Sequence, residues 1–135
     1  MALITWNSQW SVDVKEMNQH HEKLVNLIND LHDAMRVGKS KEVLSDTITK
    51  LLDYTKFHFT AEENYMLKYG YPGLEQQKAQ HQHFIKRIQD FQRDFNEGKL
   101  MLSMEIMNFL KDWLVKHIEA EDKKYGPFFN EKGLH

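Results

Sequence analysis

The chain has 135 residues, a net charge of −2 with histidines neutral, and no cysteine. That length suits one domain able to bury its own core, and 41% hydrophobic with 28% charged residues describes a compact chain and not a disordered one. The charge excludes a basic field for nucleic acid or an anionic membrane. The missing cysteines exclude disulfides, zinc fingers and iron–sulfur clusters, so His, Asp and Glu are the available metal ligands.

No apolar run approaches the roughly 18 residues of a membrane span. Residues 1–10 lack the basic-then-apolar order of a signal peptide, so a cytoplasmic location is expected. An N-terminal arm over about residues 1–16 carries Trp6 and Trp10. Prolines occur only at 72 and 127, and glycines at 38, 70, 98 and 126 each follow a stretch with helical periodicity, where they suit a left-handed closing residue. Four helices are predicted over about 18–37, 40–69, 73–97 and 103–125, with Ser40 and Ser103 as N-caps and a short tail holding Phe128 and Phe129. Short links between long helices imply an all-α, antiparallel up-down-up-down four-helix bundle, one domain over residues 1–135.

Each helix has an apolar stripe spaced by threes and fours. The first runs Met17, His21, Leu24, Ile28, Leu31, Met35. In the second, Leu44, Ile48, Leu51 and Thr55 lead to His58 and Glu62. The third runs Leu74, Gln77, His81, Phe84, Ile88, and the fourth Ile106, Leu110, Trp113, His117, widened by Leu114, Ile118 and Tyr125. Packing alone would make these stripes wholly apolar, yet all four carry polar or ionisable residues. A buried carboxylate costs several kcal/mol unless a partner compensates it, and metal coordination by imidazoles and carboxylates supplies that compensation.

Spacing supports convergence within helices. His58 and Glu62 are four apart, as are positions 77 and 81, so each pair stacks on one helix face. His117 and Asp122 are five apart, about 140° around an ideal helix, whereas Glu121 at i+4 converges more naturally. Spacing leaves that choice open. His20 competes with His21, which continues its stripe better; His32, His83 and His135 are expected to face solvent.

With these residues in view, the sequence resembles the bacteriohemerythrins, the single-domain prokaryotic branch of the hemerythrins. The resemblance runs from Trp6-Asn7 through His21-Glu22-Lys23-Leu24, Tyr54-Thr55, His58-Phe59, Glu62-Glu63 and Gly70-Tyr71-Pro72 to His81, Phe84, Trp113-Leu114, His117-Ile118, Glu121-Asp122 and Tyr125-Gly126. It implies a non-haem protein that binds dioxygen reversibly for storage, delivery or sensing, through two iron ions (Fe2+/Fe3+) with a bridging oxo or hydroxo group. Glu62 and Asp122 would bridge the irons, which decides for Asp122 over Glu121. His21 and His58 would hold the iron with an open position, and position 77, His81 and His117 the other. Leu24, Phe59, Trp113, Leu114 and Ile118 are placed to keep water from the bound gas, besides ordinary packing.

The resemblance assigns no catalytic residue. It implies dioxygen as ligand, an oxygen-consuming enzyme or reductase as partner, and a monomer; the lack of an output domain favours a carrier over a sensor. One position departs: Gln77 stands where the family has a histidine. An amide oxygen is a weaker ligand than imidazole, and His83 points about 200° away from His81 and cannot replace it. The second iron is therefore expected to be held less tightly, which opens the alternative of di-iron oxidase or peroxidase chemistry. Predominantly imidazole ligation still favours binding.

Overall fold

The structure, a computed structural model, describes residues 2–99 and 103–135. Helices α1 (Lys15–Arg36), α2 (Lys41–Tyr69), α3 (Leu74–Asn96) and α4 (Met104–His117) form an up-down-up-down bundle, α1 packing on α2 and α4, and α2 on α3. A widened π turn, Ile118–Asp122, joins α4 directly to α5 (Lys123–Glu131). Among the described residues no helix is long and apolar enough to cross a membrane.

The predicted caps form. Ser40 and Ser103 accept hydrogen bonds from the amides of Val43 and Ile106, satisfying donors that the first turn leaves free. Gly70 closes α2 at φ 72°, and the amide of Tyr71 reaches back to the carbonyl of Met66.

Two helix ends and one glycine depart from expectation. Helix α1 starts at Lys15, three residues before residue 18, because Val14 precedes it in extended conformation without a capping side chain to announce it. The fourth helix does not stop at residue 125. It continues through Pro127 to Glu131, since Tyr125 and Phe129 extend the buried face and their packing outweighs one lost amide donor. Gly126 is consequently an interior helix residue, not a left-handed cap. A Cβ there would stand 2.3 Å from the Val12 carbonyl oxygen, so only glycine lets the arm lie across the helix.

The arm is docked along its length. Asn29 exchanges two hydrogen bonds with the Ile4 backbone, at 2.9 and 2.8 Å, and Asn18 holds the Val12 amide. Leu3, Arg36 and Met104 line a groove with His32, which is 7% exposed and not solvent-facing as its sequence position suggests. His83 and His135 are exposed as expected.

Candidate metal centre

Each stripe delivers its polar residues to one level of the bundle. His21 comes from α1, His58 and Glu62 from α2, Gln77 and His81 from α3, His117 from the end of α4, and Asp122 from the π turn; all are buried. His21, rather than the adjacent His20, turns its ring into this cluster, with Nε2 3.4 Å from Glu62 Oε2 and 3.1 Å from Asp122 Oδ2.

The π turn answers the spacing question between Glu121 and Asp122. The Lys123 amide bonds to the Ile118 carbonyl, five residues back, so one extra residue is fitted into the turn. The fifth residue after His117 thereby returns over it. Asp122 Oδ1 lies 3.1 Å from His117 Nε2, while Glu121 stays at the rim, where its Oε2 accepts from Gln76.

Two groups of ligand-type residues result, each with its ligand atoms within 4.8 Å of one another: His21, His58, Glu62 and Asp122, and Glu62, His81, His117 and Asp122. Glu62 and Asp122 belong to both. Glu62 Oε1 stands 3.3 Å from His58 Nε2 and 3.4 Å from His81 Nε2. Both nitrogens of His21, His58 Nε2, Glu62 Oε1 and Gln77 Oε1 are buried without a hydrogen-bond partner. Orphaned polar atoms of this kind cost about 1–3 kcal/mol each, and bound cations would satisfy them. The donor set, imidazole nitrogen with carboxylate oxygen, suits iron. Residues and cofactor fit.

Electrostatics point the same way. Burial alone would depress His21, but the Asp122 and Glu62 carboxylates outweigh it and lift the imidazole to about 9. His81 also rises to about 9, Glu62 and Glu63 overcoming its burial. Burial and the Glu62 charge oppose ionisation of Asp122, yet His117 and His21 hold its carboxyl at about 2. Burial likewise opposes ionisation of Glu62, but His58, His21 and His81 hold it well below the usual carboxylate range. Without metal, two protonated imidazoles thus balance two carboxylates.

Other side chains hold these rings from behind. Glu63 Oε2 lies 2.8 Å from His81 Nδ1, and Gln80 Oε1 2.7 Å from His117 Nδ1. The Tyr125 hydroxyl donates to Glu62 Oε2 at 2.6 Å; burial and both carboxylates push its ionisation well up, so it remains a donor. Gln77 donates through Nε2 to Asp122 Oδ1 at 3.0 Å. Sequence reasoning missed Glu63, Gln80 and Tyr125 as members of this network, although Tyr125 lies one turn beyond Asp122 and could have been read from spacing.

Among the five residues expected to exclude water, Leu24, Phe59, Leu114 and Ile118 are buried. Phe59 stacks on His81 with ring centroids 3.7 Å apart. Trp113 is only half-buried: it stacks on His117 at 4.5 Å and lines an outer groove with Gln80 and Lys116, covering the ring from outside.

The Hemerythrin HHE cation binding domain family matches residues 12–129. A bacteriohemerythrin of Methylococcus capsulatus is 34% identical over 128 residues, 94% of this chain and 97% of that protein. A hemerythrin-like protein of Naegleria gruberi is 35% identical over 89% of this chain and 88% of its own length. A crystal structure of wild-type hemerythrin, 32% identical, superposes with a TM-score of 0.89 over 93% of this chain and 97% of that one. With family match, identity and backbone in agreement over nearly the whole length, the chain belongs to the hemerythrin family.

Proposed function

We propose that the chain binds dioxygen reversibly at a non-haem di-iron centre, for storage, delivery or sensing. The observation that carries this reading is the pair of buried ligand groups sharing Glu62 and Asp122, because shared carboxylates bring two ions close together. Ligand assignment follows the grouping: Glu62 and Asp122 would be shared between two ions, His21 and His58 would hold one, and His81 and His117 the other. Iron bound there would supply the electrons that dioxygen binding needs, with an oxo or hydroxo group as the further bridge the reading includes.

The chain's own residues do the rest. Tyr125 holds Glu62 Oε2 by its hydroxyl, and Gln77 steadies Asp122. Glu63 and Gln80 orient His81 and His117 from outside, as partners behind metal-bound histidines do. Leu24, Phe59, Leu114 and Ile118 exclude water, which slows loss of electrons to solvent. Binding without turnover is the proposed activity, in a monomer whose partner is an oxygen-consuming enzyme or a reductase. Iron analysis with optical spectra tests it: about two irons per chain and a visible charge-transfer band that grows with air and fades under vacuum are expected. A folded, colourless protein after iron reconstitution would end this reading.

Gln77 favours a second activity beside it. Its amide nitrogen is engaged by Asp122 and its oxygen has no hydrogen-bond partner, so position 77 would offer an ion only an amide oxygen, a weaker ligand than the imidazole it replaces. An ion at His81 and His117 would be held less tightly, and where Gln77 leaves it open, oxidase or peroxidase chemistry would compete with stable carriage. Gln77→His should raise retention of the second iron and lengthen the life of the oxygen-dependent band, each by roughly ten-fold. Equal values in both proteins would reject the role of Gln77.

A further inference from the structure

His20 lies outside both ligand groups, yet it is 8% exposed and stands directly behind one of their members. Its Nδ1 is 2.8 Å from His58 Nδ1. A bond between two imidazole nitrogens needs one proton, donated by one ring and accepted by the other. The two choices have opposite consequences for the centre. If His20 donates, neutral His58 carries its own proton on Nε2, the nitrogen 3.3 Å from Glu62 Oε1, and cannot ligate there. If His58 donates, its Nε2 lone pair is free.

We propose that His20 is the positioning residue that selects the metal-binding tautomer of His58 by accepting a hydrogen bond from His58 Nδ1–H. This rests on the di-iron reading above.

The surroundings of His20 set the direction. With its Nδ1 accepting, neutral His20 carries its proton on Nε2, and that nitrogen faces Glu16 Oε2 at 3.8 Å. A carboxylate there favours an N–H and disfavours a lone pair. Glu16 is itself held across the helix pair, because the Tyr65 hydroxyl donates to its other oxygen at 2.7 Å. The His20 ring is fixed edgewise against Tyr54 and tilted against Phe57, with centroids 5.9 and 5.4 Å away. Glu16, His20 and His58 therefore form an ordered line from the rim to the centre, every proton pointing outward. His81 and His117 have a carboxylate and an amide oxygen behind them, which are acceptors by nature. His58 has a partner that could play either part, so its orientation depends on the next residue out.

The test uses the full chain loaded with zinc, a diamagnetic probe for the same nitrogens. In nitrogen-15 spectra the wild-type His58 proton should sit on Nδ1 and show coupling to His20 Nδ1 across the hydrogen bond. H20L removes the acceptor and should weaken zinc binding about 10- to 100-fold, as loss of partners behind metal-bound histidines does, with the His58 Nδ1 proton exchanging freely. H20Q restores an acceptor oxygen and should recover most of the affinity, whereas a purely space-filling role would be met by leucine. H32Q, at another buried histidine, serves as control and should bind as the wild type does. Wild-type affinity in H20L, or H20Q no better than H20L, overturns the proposal. If H20L does not fold, the wild-type spectrum alone decides, and absence of the coupling overturns it. A wild-type chain that binds neither zinc nor iron would overturn this proposal together with the reading beneath it, an outcome separate from the variant failures.

Discussion

Glu62→Gln is expected to empty both halves of the centre together, taking iron from about two per chain to fewer than one and abolishing the visible band. Glu62 belongs to both ligand groups, and its two oxygens lie 3.3–3.4 Å from ring nitrogens of His21, His58 and His81. An amide keeps the shape and can still accept from Tyr125, so the bundle should fold. What it loses is the negative charge that makes two buried cations tolerable, and an uncompensated ion in a low-dielectric interior costs several kcal/mol. Asp122→Asn should do the same, since Asp122 is the other shared carboxylate. Glu121→Gln should leave iron content unchanged, because Glu121 stands at the rim. Iron analysis of the three folded variants checks this. Retention of both irons by Glu62→Gln, or their loss from Glu121→Gln, would refute the proposed ligand set.

Stripping the metal should lower stability and reverse its dependence on pH. Ions that bind only the folded chain stabilise it by about 4 kcal/mol when free metal is a thousand times the dissociation constant, and chelation withdraws that amount. The metal-free chain then relies on its protons. His21 and His81 sit at about 9 against an ordinary 6.5, so their contribution is complete below pH 6.5 and is lost as pH rises through about 9. Asp122 sits at about 2 against an ordinary 3.8, so its contribution is present above pH 3.8 and is lost as pH falls through about 2. Metal competes with protons for the same imidazoles, so loading at neutral pH should release protons and affinity should climb toward pH 9. Thermal melts between pH 6 and 9 should fall with pH for the metal-free form and not for the loaded one. Calorimetry in buffers of different ionisation enthalpy reads the released protons. Parallel melting curves with no proton release would contradict this balance of charges.

Much of the fold was legible because its causes are local. Stripes of period 3.6, glycines at helix ends and serine caps act within one or two turns, so the bundle and most helix ends follow from residue order. The same logic exposed His58 with Glu62, and Gln77 with His81, as polar intrusions in apolar stripes. Resemblance to a family then distinguished Asp122 from Glu121, a choice that spacing left open.

Residue order by itself therefore determined four amphipathic helices and the set of inward polar groups that metal-binding chemistry would explain. Tertiary structure alone decided how they meet. The π turn that carries Asp122 back over His117 breaks ideal helical periodicity, and no local propensity in Ile118–Asp122 announces it. Burial of Tyr125 and Phe129 likewise carries the last helix through a proline. Helix packing buries His32 and sets His20 behind His58 rather than in the cluster. Each of these depends on contacts between residues far apart in sequence, whose energy exceeds the local preferences that periodicity can read.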